Sequence, residues 1–62
     1  MTRHDIPAHE VQVKDRLDRS GKIRVHATLT RNGETTLAWR LRGSKAPGTT
    51  SHPADKTVTV WR

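Results

Sequence analysis

The chain has no cysteine, no tyrosine and no phenylalanine. Without thiols, neither a disulfide nor a thiolate metal site can reinforce a fold of 62 residues. Trp39 and Trp61 are the only aromatic residues, and apolar residues make up 31% of the chain. A core built from so little stays thin, because a chain of this size buries only about 60% of its unfolded surface. Association into a homodimer would enlarge that core and is carried as an expectation. No apolar run approaches the length of a membrane-spanning helix and no signal-peptide segment is visible, so a cytoplasmic location is the default expectation.

Acidic residues are scarce as well. Six Asp and Glu stand against 12 Lys and Arg, a formal net charge of +6. Such an excess favours a polyanionic partner, either nucleic acid or an acidic protein face. An anionic membrane fits less well, because the basic residues are not interleaved with apolar anchors.

Recognisable catalytic chemistry is missing too. His4, His9, His26 and His52 have no metal-ligand spacing. No glycine-rich phosphate loop precedes a helix. Ser20, Ser44 and Ser51 fall in turns or loops without a nucleophile-elbow pattern, and no carboxylate pair is placed for acid–base work. The chain therefore reads as a binding protein rather than an enzyme, with no cofactor and no metal.

What is present is alternation. Val11, Val13 and Leu17 fall on odd positions; so do Ile23, Val25, Ala27 and Leu29, and again Leu37, Trp39 and Leu41. Polar and basic residues occupy most of the even positions between them. Period two over three successive runs indicates β-strands, and Val, Ile, Thr and Trp suit them. Residues 56–62 alternate once more, with Val58 and Val60 opposed to Thr57, Thr59 and Trp61. Residues 1–9 lack a period and read as a flexible N-terminal arm. Residues 10–62 read as a single small β domain with a long loop at 43–55, where two Gly and two Pro accompany five Ser, Thr or Asp. The expected class is all-β: a small antiparallel meander of three to four strands. By fold analogy, a half-open barrel of the SH3-like or OB-like kind accommodates a chain of this length.

The turns fix which side chains share a face. A two-residue Asn32-Gly33 loop between regular strands would place His26 opposite Trp39, setting the polar stripe against the apolar one. A three-residue loop, Arg31-Asn32-Gly33, instead pairs Val25 with Trp39 and Ile23 with Leu41. The same logic makes Arg19-Ser20-Gly21 the upstream loop and pairs Leu17 with Ile23. The segments LDRSGKIRV and LTRNGETTL repeat weakly, twelve residues apart, a likeness that shared turn chemistry accounts for. One residue disturbs the apolar face: Asp15 points inward beside Val25.

On the polar face this register gathers Arg16, Arg24 and Arg40 into one row, Lys22 and Arg42 into a second, and Lys14 and His26 into a third. Like charges directly opposite each other cost about 0.2–1 kcal/mol per pair, so a one-sign cluster is best explained by an anion that fills it. Arg suits bidentate contact with phosphate. Lys45 in the long loop and Trp61 on the outward face of the last strand extend the candidate surface; Trp61 is a stacking platform if it is exposed, and otherwise closes one end of the small core. The leading expectation is a nucleic-acid-binding protein that lays this face on the phosphate backbone, with DNA placed before RNA. The alternative is a small regulatory or phage-type module whose basic face docks an acidic protein. A third reading is a subunit that self-assembles through its edge strands.

Overall fold

The computed structural model describes residues 1–45 and 47–62. Its strands are β1 (Arg3–Pro7), β2 (Ile23–Arg31), β3 (Glu34–Leu41), β4 (Pro47–Pro53) and β5 (Thr57–Trp61), with one 3-10 turn at Ala8–Glu10. All pairings are antiparallel, so the all-β class expected from the alternation is the class adopted. β2, β3 and β4 form a meander, and β1 pairs with β5. Arg16 joins the two groups, because it bridges to Trp61 on one side and to Arg24 on the other. The order across the surface is therefore β1, β5, Arg16, β2, β3, β4. Among the described residues the strands do not close into a barrel, and β1 and β4 remain edges. The molecule is correspondingly thin, 33 × 25 × 13 Å along its principal axes.

The hairpin between β2 and β3 corrects the expected turn. Arg31 pairs with Glu34, so the loop is the two residues Asn32 and Gly33. Their φ values, 53° and 73°, are both positive, as a type I′ turn requires. Glycine meets that demand without a steric cost, and Asn tolerates it better than most residues. Parity is restored elsewhere. The register slips between Val25 and Ala27, which leaves His26 as an extra residue in a β-bulge. A two-residue turn plus one bulge has the same parity as a three-residue turn for every residue on the far side of the bulge. Val25 thus faces Trp39 and Ile23 faces Leu41, as the alternation implies.

Between the bulge and the turn the faces are exchanged. Thr28 lies opposite Leu37 and Thr30 opposite Thr35, with their hydroxyls 2.8 Å apart in the second pair. Ala27 and Leu29 turn outward, and Leu29 is 62% exposed rather than part of an apolar face.

The expected strand over residues 10–17 is reduced to the single paired residue Arg16. Lys14 adopts φ 82°, a left-handed conformation, and Val25 divides its backbone bonds between two residues. Its carbonyl accepts the Lys14 N–H at 2.9 Å, while its N–H donates to the Asp15 carbonyl at 2.9 Å. This second irregularity carries Val13 outward, whereas Asp15 faces inward as the alternation implies. There the Asp15 carboxylate is clamped by Arg62 at 2.9 and 3.1 Å, and it accepts the Gln12 N–H at 2.9 Å.

Two further stretches differ from expectation. Residues 3–7 are a strand rather than an unpaired arm, with Ile6 facing Val58. Residues 47–53, inside the expected loop, form β4. Proline is tolerated at both ends because β4 is an edge strand. Its inward positions are Gly48, Thr50 and His52, so no apolar alternation marks it in the sequence. Gly48 has a packing role: the Trp39 indole lies so close that an added Cβ would stand 2.3 Å from the ring.

Val11, Val25, Leu37 and Val60 form the core, with Ile6, Leu17 and Val58 packed against it. Each fully buried aliphatic side chain contributes about 1.5–3 kcal/mol. Neither tryptophan belongs to this cluster. Trp39 faces inward but is half-buried over Gly48. Among the described residues, no helix is long and apolar enough to cross a membrane.

Candidate nucleic-acid interface

Directly opposed residues of antiparallel strands lie on the same face of a sheet. Arg40 opposes Arg24, Arg24 opposes Arg16, Arg16 opposes Trp61, and Trp61 opposes Arg3. One row of side chains therefore crosses the molecule from Arg3 to Arg40. The Arg16–Trp61 step is a fully hydrogen-bonded pair, with backbone N–O distances of 3.0 and 2.9 Å. The second expected row is also formed, since the Arg42 N–H donates to the Lys22 carbonyl at 2.8 Å. Arg16, Lys22, Arg24, Arg40 and Arg42 line one open groove of about 450 Å³, together with Leu41 and the turn residues Gly21, Gly43 and Ser44.

Among the described residues, no acid lines this groove. Among the described residues the ion pairs are Arg3–Asp5 and Arg62–Asp15, so none of the five groove cations is neutralised by a carboxylate. Asp18, next to the groove in the 18–23 turn, is occupied by the backbone. Its carboxylate accepts the Ile23 N–H at 2.9 Å and the Ser20 hydroxyl. These bonds stabilise the ionised form and hold its pKa below the ordinary value.

Beyond Trp61 the row meets an acid. Asp5 accepts the Thr59 hydroxyl at 2.7 Å and the Arg3 guanidinium at 3.4 Å. Thr59 first, then Arg3, hold its pKa down. Both partners of this pair are largely exposed, so it adds little to stability. Its effect is to neutralise Arg3 and to end the unbroken positive track at Trp61.

The sequence-derived candidates divide into three groups. Arg16, Lys22, Arg24, Arg40 and Arg42 are brought together in the groove. Trp61 joins them through its pairing with Arg16; it is half-buried, lies outside the core cluster, and is on the face opposite to Val58 and Val60. Lys14, His26 and Lys45 do not line the groove. The expected Lys14–His26 row is broken because each residue sits in an irregularity beside Val25. His26 instead borders a neighbouring depression with Val13, Val25, Arg24 and Arg40. Lys45 is exposed in the connection to β4. Arg3 is the row member that alternation could not place, because β1 carries one apolar inward residue, Ile6, too short a pattern to read.

Compared with known proteins, the chain matches no family model, no curated protein and no solved structure.

Proposed function

We propose that the protein binds nucleic acid through its phosphate backbone, without catalysis, using Arg16, Lys22, Arg24, Arg40 and Arg42. The observation that carries this reading is the groove itself: Arg24 and Arg40 on facing strands, with Arg16, Lys22 and Arg42 from the flanking segments, and no carboxylate among the described residues that line it. Holding like charges in register is unfavourable by about 0.2–1 kcal/mol per opposed pair. A phosphodiester chain reverses that cost and releases its own counterions on binding. The spacing of about 4.8 Å between strands sets several cations within reach of one backbone.

The test is fluorescence anisotropy with labelled DNA, duplex and single-stranded, across a salt series. Five phosphate contacts predict a slope of log K on log salt of about −4.5 for duplex or about −3.5 for a single strand. Arg24→Ala with Arg40→Ala should flatten it by about 1.8 or 1.4, with the fold retained because both side chains are exposed. An unchanged slope in the folded double variant removes this face from the site. Absence of binding to either DNA, and to RNA, refutes the proposal and leaves an acidic protein as the partner to seek by nuclease-treated pull-down.

A further inference from the structure

We infer that the ligand of this face is a single-stranded nucleic acid, with a base stacked on Trp61 while its backbone crosses Arg16, Arg24 and Arg40. The inference rests on the nucleic-acid reading above and adds the form of the ligand.

Three observations carry it. First, Trp61 stands in the arginine row, one strand from Arg16 and on the same face. Second, Trp61 lies outside the core cluster, to which its strand contributes Val60 with Val58 packed against it, and it is half-buried rather than enclosed. A tryptophan is the side chain with most to gain from burial, so its place outside the core and beside an unneutralised cation row needs a cause. Third, the track is bounded. Asp5 and its bonds to Arg3 and Thr59 lie on the next strand and close the positive run on the far side of Trp61.

Duplex bases are stacked on one another and offer no free π-face to a flat sheet. In a single strand each base has such a face, and stacking on an aromatic ring is tolerant of sequence. From Trp61 to Arg40 is three strand spacings, about 14 Å. That length suits a short site, near the lower end of the roughly 4–16 nucleotides that small β domains cover. Leu41, on the inward stripe beside the groove, is partly exposed and is the one large apolar residue lining it, which leaves Trp61 as the aromatic platform of this face.

The experiment compares four ligands of equal length at one salt concentration: a thymidine single strand, a uridine single strand, an abasic single strand and a duplex. The unmodified protein should bind a base-bearing strand of at least one sugar type more tightly than both the abasic strand and the duplex. Trp61→Ala should weaken that binding about 5- to 150-fold, leave abasic binding unchanged, and keep the salt slope. Trp61→Phe, which keeps a π-face, should recover most of the loss. The comparison of base-bearing with abasic strands needs no substitution, so it decides even if Trp61→Ala does not fold. Equal affinity for all four ligands, with the steep salt slope retained, overturns the inference and leaves the backbone reading standing. Binding to none of them refutes both.

Discussion

The Arg62–Asp15 clamp gives the sharpest prediction about stability. The Asp15 side chain is 5% exposed and that of Arg62 is 33% exposed. Arg62 also donates to the Glu10 carbonyl at 3.3 Å, and its backbone pairs with Thr2 at 2.7 and 2.9 Å. Breaking a buried ion pair by removing one partner costs about 3–5 kcal/mol, because the remaining charge is stranded. The Gln12 N–H still serves Asp15, and Arg62 is partly hydrated, so Arg62→Ala belongs at the lower end, about 3 kcal/mol. A chain of 62 residues has a total stability of only about 3–9 kcal/mol, at about 0.05–0.15 per residue. The substitution should therefore remove a third or more of it. Asp15→Asn is the informative contrast. The amide oxygen keeps the Gln12 bond and Arg62 turns to water, so the cost is nearer to one net hydrogen bond, about 1 kcal/mol. Urea denaturation followed by far-UV circular dichroism measures both. If Asp15→Asn costs as much as Arg62→Ala, the asymmetry derived from burial is wrong.

Two further outcomes follow from local geometry. Gly48→Ala would place a methyl 2.3 Å from the Trp39 indole, so the ring must tilt away; a loss of about 1–3 kcal/mol and a red-shifted tryptophan emission are expected, and an unchanged midpoint and spectrum would contradict the packing. Asp18 has its pKa lowered in the folded state, mainly by the Ile23 N–H, so the unfolded chain takes up a proton first on acidification. Its stabilising contribution is complete above the ordinary value of 3.8 and is lost as pH falls through the lower folded value. Asp18→Asn should accordingly reduce the loss of stability below pH 3.8, and identical acid profiles for the two proteins would show that the turn does not use the charge.

Parity explains both the reach and the failure of the sequence reading at the β2–β3 hairpin. Alternation requires an odd correction between Val25 and Trp39, and the structure contains one. Alternation cannot say whether the extra residue sits in the turn or in the strand. Placing it at Arg31 keeps Ala27 and Leu29 inward, whereas the bulge at His26 turns them out and puts Thr28 and Thr30 on the face of Leu37 and Thr35, where both stay exposed. The Arg16–Arg24–Arg40 row survives because it lies on the side of the bulge where the two solutions coincide. Lys14 and His26 lie at the irregularities themselves, and their expected pairing does not. β4 was hidden for another reason. An edge strand whose inward positions are Gly48, Thr50 and His52 has no hydrophobic period, and its Gly and Pro read as loop.

The sequence by itself determined the strand class, the one-sided placement of the cations, and the Arg24–Arg40 and Lys22–Arg42 neighbours. These follow from period two and short connections, in which paired residues are close along the chain. Only the tertiary structure decided that Trp61 and Arg3 complete the arginine row, that residues 3–7 and 47–53 are strands, and that the sheet stays open. Those features rest on pairings such as Trp61 with Arg16 and Arg3, and on the Arg62–Asp15 clamp between segments 47 residues apart. No local pattern encodes a pairing at that separation. It is selected when the chain closes around Val11, Val25, Leu37 and Val60, because that is the arrangement in which those side chains leave water together.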